Sequence, residues 1–322
     1  FAAYGEAQVY VTGRDSRRTA AAVGRAARSV RGDSIRTRMT PVAWEELERA
    51  VAVSDLVFES VAEDAAVKAA VLARAAAAMR PDALLCTGSS GLSVTALAEA
   101  LPADTRRRFM GMHLFNPPGK RTLCELIPTP DTDPALTDAV QDWLERTLRR
   151  QVVRTGDTPA FLANRIGLCF LHGAAHLAET CRDRGGIDYV DTLLGGFTGR
   201  VAACDEAKRE ELAQNAAIIR NLRDNTDDCM HGLYCLPPYM EELLARGALG
   251  RKSGGGLFRQ SVGAGGETVR EVYDIASDAY RPAVRYTVPF ARAMCACLHT
   301  GDYAGAFRVL LYDGSEEAAL CR

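Results

Sequence analysis

The stretch "SDLVFESVAEDAAVKAAVLARAAAAMRPDALLCTGSSGLS", residues 54–93, decides the fold. Residues 54–61 are a short, mostly apolar run, the pattern of a buried strand. Residues 63–80 are Ala-rich and stop before Pro81, which cannot continue a helix, so a helix is predicted there. "ALLCTGSS" (83–90) is another buried strand, ending in small polar residues. Strand, crossover helix and strand make a parallel βαβ unit. The alternation extends both ways. "AQVYVTGRD" (7–15) reads as a strand and "SRRTAAAVGRAARSV" (16–30) as an Arg-rich helix. "LSVTALAEAL" (92–101) is a helix, "RRFMGMHLF" (107–115), "TLCELIPT" (122–129) and "RQVVRTGD" (150–157) are strands, and 134–149 is an amphipathic helix. An α/β domain with a parallel sheet covered on both faces is therefore expected over 1–156.

Past residue 156 the period changes. "NRIGLCFLHGAAHLAETCRDRGG", "CDEAKREELAQNAAIIRNLRD" and "PPYMEELLARG" are helical, which predicts an all-α domain over 157–260. "GRKSGGGLF" (250–258) ends it, "VGAGGETV" (262–269) reads as a flexible turn or linker, and 261–322 is expected to be an extension or the start of a further segment. At 322 residues two or three domains are the prior. A net charge of −2 gives no reason to expect nucleic acid or an anionic membrane as partner, and no apolar run reaches the roughly 18 residues of a membrane span. Ten Cys without paired CxxC spacing indicate free thiols in a reducing compartment. The chain does not open on Met, so a processed or incomplete chain is expected. Only four Lys (68, 120, 208 and 252) stand among 39 basic residues, so each Lys that persists invites a reason.

Ligands of open α/β sheets bind beyond the carboxyl ends of the strands. Three strands here end in polar residues: "FESVAED", "TGSSGLS" and "MHLFNPP". Each alone reads as a turn or helix cap, but one sheet would bring the three together. His113 in "GMHLFNPPGK" (111–120) is either a buried, hydrogen-bonded histidine or a positioned proton carrier. "HGAAH" sets His172 and His176 one helical turn apart; without a neighbouring Glu or a third ligand it predicts packing, and no metal site is expected.

Taken together, "DLVFESVAEDAAVK", "TGSSGLS", "GMHLFNPP" with "CELIPTPDTDP", "DTPAFLANR" and "ARGALGRKSGGGLF" resemble the 3-hydroxyacyl-CoA dehydrogenase family of fatty-acid β-oxidation, in family order over roughly residues 1–260. "FNPP", "ELIPTPDTDP" and "DAYRP" resemble the dehydrogenase part of dehydrogenase/enoyl-CoA hydratase fusions. The resemblance implies a Rossmann-like domain followed by a helical domain that mediates homodimerisation or docks on a larger assembly. It implies NAD as cofactor and 3-hydroxyacyl-CoA as substrate. His113 matches the general base, Glu125 its partner carboxylate, Ser90 the hydroxyl on the substrate oxygen and Asn164 the amide on the acyl carbonyl. Thr12, Ser60, Glu63, Lys68, Ser90, Asn116 and Lys252 match the cofactor side. A mitochondrial matrix setting is expected, with peroxisome or bacterial cytoplasm as alternatives.

Departures from the family pattern set a second expectation. Gly88-Ser89 stand where the family has Asn-Thr, Ala160 where it has Gly, and Thr12 where an acidic residue holds the ribose. "TGR" with Arg14 resembles sites that accept the 2′-phosphate of NADP, although a solvent-facing Arg is the simpler expectation. The chain begins past the family's first strand and its G-x-G-x-x-G turn, which cradle the pyrophosphate. A dehydrogenase-derived structural subunit without cofactor is therefore the alternative to an enzyme.

Overall fold

The computed structural model describes the chain apart from residues 30–31, 116–117, 120, 196–210, 228–229, 251–252 and 264. Asn116 and Lys252 thus lie outside the described residues. Two units are present, Phe1–Leu162 and Ala163–Arg322.

The first unit runs β1 (Val9–Thr12), α1 (Ser16–Ser29), α2 (Asp33–Arg36), β2 (Met39–Val42), α3 (Leu47–Val51), β3 (Leu56–Glu59), α4 (Ala65–Ala78), β4 (Leu84–Thr87), α5 (Val94–Ala98), α6 (Ala103–Arg106), β5 (Phe109–Leu114), β6 (Leu123–Pro128), α7 (Pro134–Arg146) and β7 (Gln151–Arg154). Asp64 caps α4 by accepting from the Val67 amide at 2.9 Å, and Met79, in extended conformation, ends it ahead of Pro81. The strands form two sheets, β1-β2 and β3-β4-β5-β6-β7.

The expected parallel sheet is mixed. The β5–β6 pair is antiparallel while β3–β4, β4–β5 and β6–β7 are parallel. The cause is the link: only residues 115–122 join β5 to β6, too few for a crossover of about a dozen residues or more. Side chains alternate across this sheet. Leu85, Phe109 and Ile127 pack with Leu72 and Ala75 on one face; Cys86, Met110, Met112 and Leu126 pack with Val140 and Leu144 on the other. His113 and Glu125 fall in phase with Phe109 and Ile127, so both point to the first face.

The second unit holds α8 (Ala163–Thr180), α9 (Ile187–Leu194), α10 (Glu211–Asn225), α11 (Pro238–Ala245), β8 (Phe258–Val262), β9 (Thr268–Asp274), β10 (Ala279–Pro282), α12 (Pro289–His299), α13 (Tyr303–Tyr312) and α14 (Glu316–Cys321). It is mostly helical but not all-α. The glycines read as a linker make a hairpin turn, with Gly266 at φ 83° and Val262 paired to Thr268. Residues from 261 onward belong to this unit and its core: Val272, Tyr273, Phe290 and Met294 cluster with Ile187, Val190 and Met240. Arg281 clamps the buried Asp188 carboxylate through two contacts of 2.8 Å, tying β10 to α9.

The "HGAAH" imidazoles pack within the second unit. His176 Nε2 lies 2.9 Å from the Cys235 carbonyl. His172 is 1% exposed, and neither ring nitrogen has a hydrogen-bond partner among the described residues. Burial first, then the neighbouring His176, push its pKa down to about 4, with the Cys235 backbone opposing. The folded protein therefore holds a neutral ring that the unfolded chain protonates near pH 6.5. Its contribution to stability is complete above pH 6.5 and is lost as pH falls towards 4, by about 3 kcal/mol in all. His172→Leu should thus lose less stability than the wild type between pH 7 and 5 in urea titrations; equal losses would show that His172 is not the group that titrates.

Candidate active site

In the antiparallel register His113 stands directly opposite Glu125. Its Nδ1 lies 2.7 Å from Glu125 Oε2, with the residues 4% and 0% exposed. Against an ionised carboxylate, which can only accept, Nδ1 would carry the proton, and a neutral ring would then leave Nε2 as the acceptor. The other carboxylate oxygen accepts the Leu162 amide at 3.0 Å. Ala160 (φ 60°) and Phe161 (φ 54°) take left-handed conformations just before it. Each costs about 1 kcal/mol or more away from glycine. The turn aims the Leu162 N–H at Glu125 and lays Phe161 against the imidazole, ring centres 5.6 Å apart. Phe115 packs at 4.5 Å. The imidazole is thus held by Glu125 on one side and by Phe115 and Phe161 around it, an arrangement that can favour one tautomer of the neutral ring.

The ends of β3 and β4 form a second cluster at the same edge of the sheet, since Thr87 pairs with Gly111 two residues before His113. Glu63 Oε1 accepts from the Ser89 hydroxyl at 2.6 Å and from the amides of Ser90 and Gly91 at 2.8 and 3.0 Å. Burial alone would raise the Glu63 pKa, but Ser89, the Lys68 charge and these amides outweigh it and hold the carboxyl below its usual value. Lys68, read from the sequence as near the nicotinamide or on a solvated helix face, is 1% exposed. Its ammonium lies 3.0 Å from Glu59 and 3.3 Å from Glu63.

Glu59 is a residue the sequence reading passed over. Its signal was a carboxylate inside an apolar strand nine residues before one of four lysines. Asp157 was also missed: it accepts from Ser93 Oγ and the amides of Val94 and Thr95 at 2.7, 3.0 and 2.7 Å, anchoring the start of α5. The remaining predicted residues are more dispersed. Thr12 ends β1 in the smaller sheet, its hydroxyl 3.4 Å from the Ala43 carbonyl. Ser60 is exposed just after β3. Asn164 lies in the first turn of α8, in the second unit. Among the described residues no cluster of three or more His, Cys, Asp or Glu could hold a metal, and no helix is long and apolar enough to cross a membrane.

Comparison with known proteins bears on this geometry. The sequence model of "3-hydroxyacyl-CoA dehydrogenase, NAD binding domain" matches residues 4–158. A "Probable 3-hydroxyacyl-CoA dehydrogenase" of Bacillus subtilis is 28% identical over 236 residues, 73% of this chain and 29% of that protein. A protein of the same name from Deinococcus radiodurans is 29% identical over 249 residues, 76% of this chain and 67% of that one. The chain thus spans less than a third of the Bacillus relative. The crystal structure of M. tuberculosis FadB2 superposes with a TM-score of 0.68 at 25% identity, over 79% of this chain and 91% of that one.

The Gly88 departure has a structural counterpart. A Cβ at residue 88 would stand 2.7 Å from Phe58 Cζ and 3.1 Å from the Glu59 carbonyl. The Phe58 ring fills the space that a side chain there requires. Gly88→Asn should therefore destabilise the protein by about 1–3 kcal/mol in urea denaturation, the usual cost of overpacking. Adding Phe58→Ala should recover part of that loss; a neutral Gly88→Asn would show that the ring is not the obstacle.

Proposed function

We propose that the chain, whose residues 4–158 match the NAD-binding domain of the 3-hydroxyacyl-CoA dehydrogenase family, is an NAD-dependent (S)-3-hydroxyacyl-CoA dehydrogenase with His113 as general base. The observation that carries the reading is the buried 2.7 Å contact between His113 and Glu125. His113 Nε2 takes the proton of the 3-hydroxyl as C3 gives up its hydride, and the 3-ketoacyl product forms. Glu125 holds the tautomer and stabilises the imidazolium, the division of labour of a catalytic dyad. By resemblance, Ser90 positions the substrate oxygen and Asn164 the acyl carbonyl. Bound NAD supplies the hydride acceptor.

The residues present fit a dinucleotide at its nicotinamide end. Glu63 Oε1 holds the Ser90 turn, and Oε2, which meets Lys68 at 3.3 Å on a side chain 27% exposed, has room to accept a ribose hydroxyl as well. Lys68 stands behind it as support. At the adenosine end Thr12 offers no carboxylate, which leaves NADP as a second reading, while the exposure of Arg14 fits a solvent-facing side chain.

Ile166 and Phe170, 52% and 56% exposed and one turn apart on α8, support homodimerisation or docking on a larger assembly. The free thiols fit a reducing compartment, and the bacterial relatives favour a bacterial cytoplasm over the mitochondrial matrix.

His113→Gln should lower kcat for acetoacetyl-CoA reduction by about 10²-fold or more, the scale of losing a general base. Wild-type turnover in that variant would remove His113 from the role. Assays with NADH and NADPH side by side separate the two cofactors. Binding of neither, by calorimetry on the natural full-length protein, would favour the structural-subunit alternative. Sedimentation at micromolar concentration should show a dimer; a monomer would contradict the α8 interface.

A further inference from the structure

The reaction as described has no use for Glu59, yet Glu59 is the most heavily engaged carboxylate of the β3–β4 cluster. Its side chain is 2% exposed. It accepts the Val61 amide at 2.6 Å, the Thr87 hydroxyl at 2.6 Å, and the Lys68 ammonium at 3.0 Å to one oxygen and 3.2 Å to the other. Lys68 reaches past it to Glu63 Oε2 at 3.3 Å. Glu63 then gathers Ser89 Oγ and the amides of Ser90 and Gly91 on its other oxygen. The contacts form one chain from the end of β4 back to the turn that leaves it: Thr87, Glu59, Lys68, Glu63, Ser90.

Stability is a poor explanation for the inner pair. Removing two charges from water costs several kcal/mol per ion, and apolar replacement of such a pair is often neutral or favourable. Placement is a better one. An ammonium has three donors on one nitrogen, and here they meet two carboxylates that arrive from the end of β3 and from just ahead of α4. Without that ammonium, whether or not Glu59 keeps its charge, Glu63 Oε2 loses its Lys68 contact at 3.3 Å and the carboxylate, on a side chain 27% exposed, would turn towards solvent. The Ser90 turn would then lose its acceptor.

We propose that Glu59 and Lys68 are positioning residues: the buried pair fixes the Glu63 carboxylate and, through it, holds the Ser90 turn in place beside His113. This rests on the dehydrogenase reading for its catalytic consequence, though not for its structural one.

The test compares Glu59→Gln, Lys68→Met and the double variant. Each single change strands a buried charge and should lower Tm, whereas the double removes both charges and should recover most of it. In the recovered double variant the amides of Ser90 and Gly91 should exchange with solvent about 10-fold faster or more, because the turn opens locally. Its kcat for oxidation of 3-hydroxybutyryl-CoA by NAD should fall by about 10-fold or more, with a smaller change in KM, as expected for misplacement rather than lost binding. A double variant with wild-type exchange and wild-type kcat would overturn the proposal and leave the pair merely structural. If the double does not fold, Thr87→Val carries the test, since it removes a donor to Glu59 without stranding a charge. Exchange at Ser90 and Gly91 should then rise about threefold, and unchanged exchange would overturn the proposal. Should the wild type itself oxidise no 3-hydroxyacyl-CoA, the dehydrogenase reading falls, and the exchange rates alone decide whether the pair positions the turn.

Discussion

One buried contact organises the first unit: the imidazole of His113 against the carboxylate of Glu125, 2.7 Å apart on facing strands. A buried carboxylate persists only when its oxygens are satisfied. One oxygen takes the imidazole and the other takes the Leu162 amide. The second requirement forces Ala160 and Phe161 into left-handed backbone, and that turn presses Phe161 onto the ring. Local strain and aromatic packing thus follow from satisfying both oxygens of one buried carboxyl group.

The sheet is built to deliver that contact. A parallel β5–β6 pair would have carried a helix between the strands and offset their side chains. The short link over 115–122 makes the pair antiparallel, and the register places His113 and Glu125 opposite each other on the same face. Strands β3 and β4 contribute the neighbouring cluster because parallel strands bring their carboxyl ends to one edge. The two clusters differ in character. His113 and Glu125, the site of the proposed proton transfer, are joined by a single 2.7 Å contact, whereas Glu59, Lys68 and Glu63 are bound to one another and to backbone amides.

Much of this was legible in the residues. The strand–helix alternation is strong wherever an apolar run meets an Ala-rich segment closed by Pro81, and His113 and Glu125 carry a recognisable pattern around them. What escaped did so for physical reasons. β2 contains Pro41 and is only half-buried, so it lacks the apolar run of a central strand. β8 to β10 were hidden by the glycines of their first turn, which look the same in a hairpin and in a linker. Lys68 follows helical charge patterning that usually means solvent; only the three-dimensional arrival of Glu59 and Glu63 makes its burial affordable. Glu59 itself looked like any polar strand end. The space filled by Phe58 beside Gly88 is a tertiary fact with no local signature.

The proposed role of His113 depends most on which of its ring nitrogens carries the proton. Nitrogen-15 NMR of the histidine ring in the neutral state measures this directly, with His113→Gln to assign the signal. The expected result is a protonated Nδ1, bonded to Glu125, and an unprotonated Nε2 able to accept the substrate's proton. A neutral ring protonated at Nε2 would contradict it, because His113 would then have no lone pair to offer.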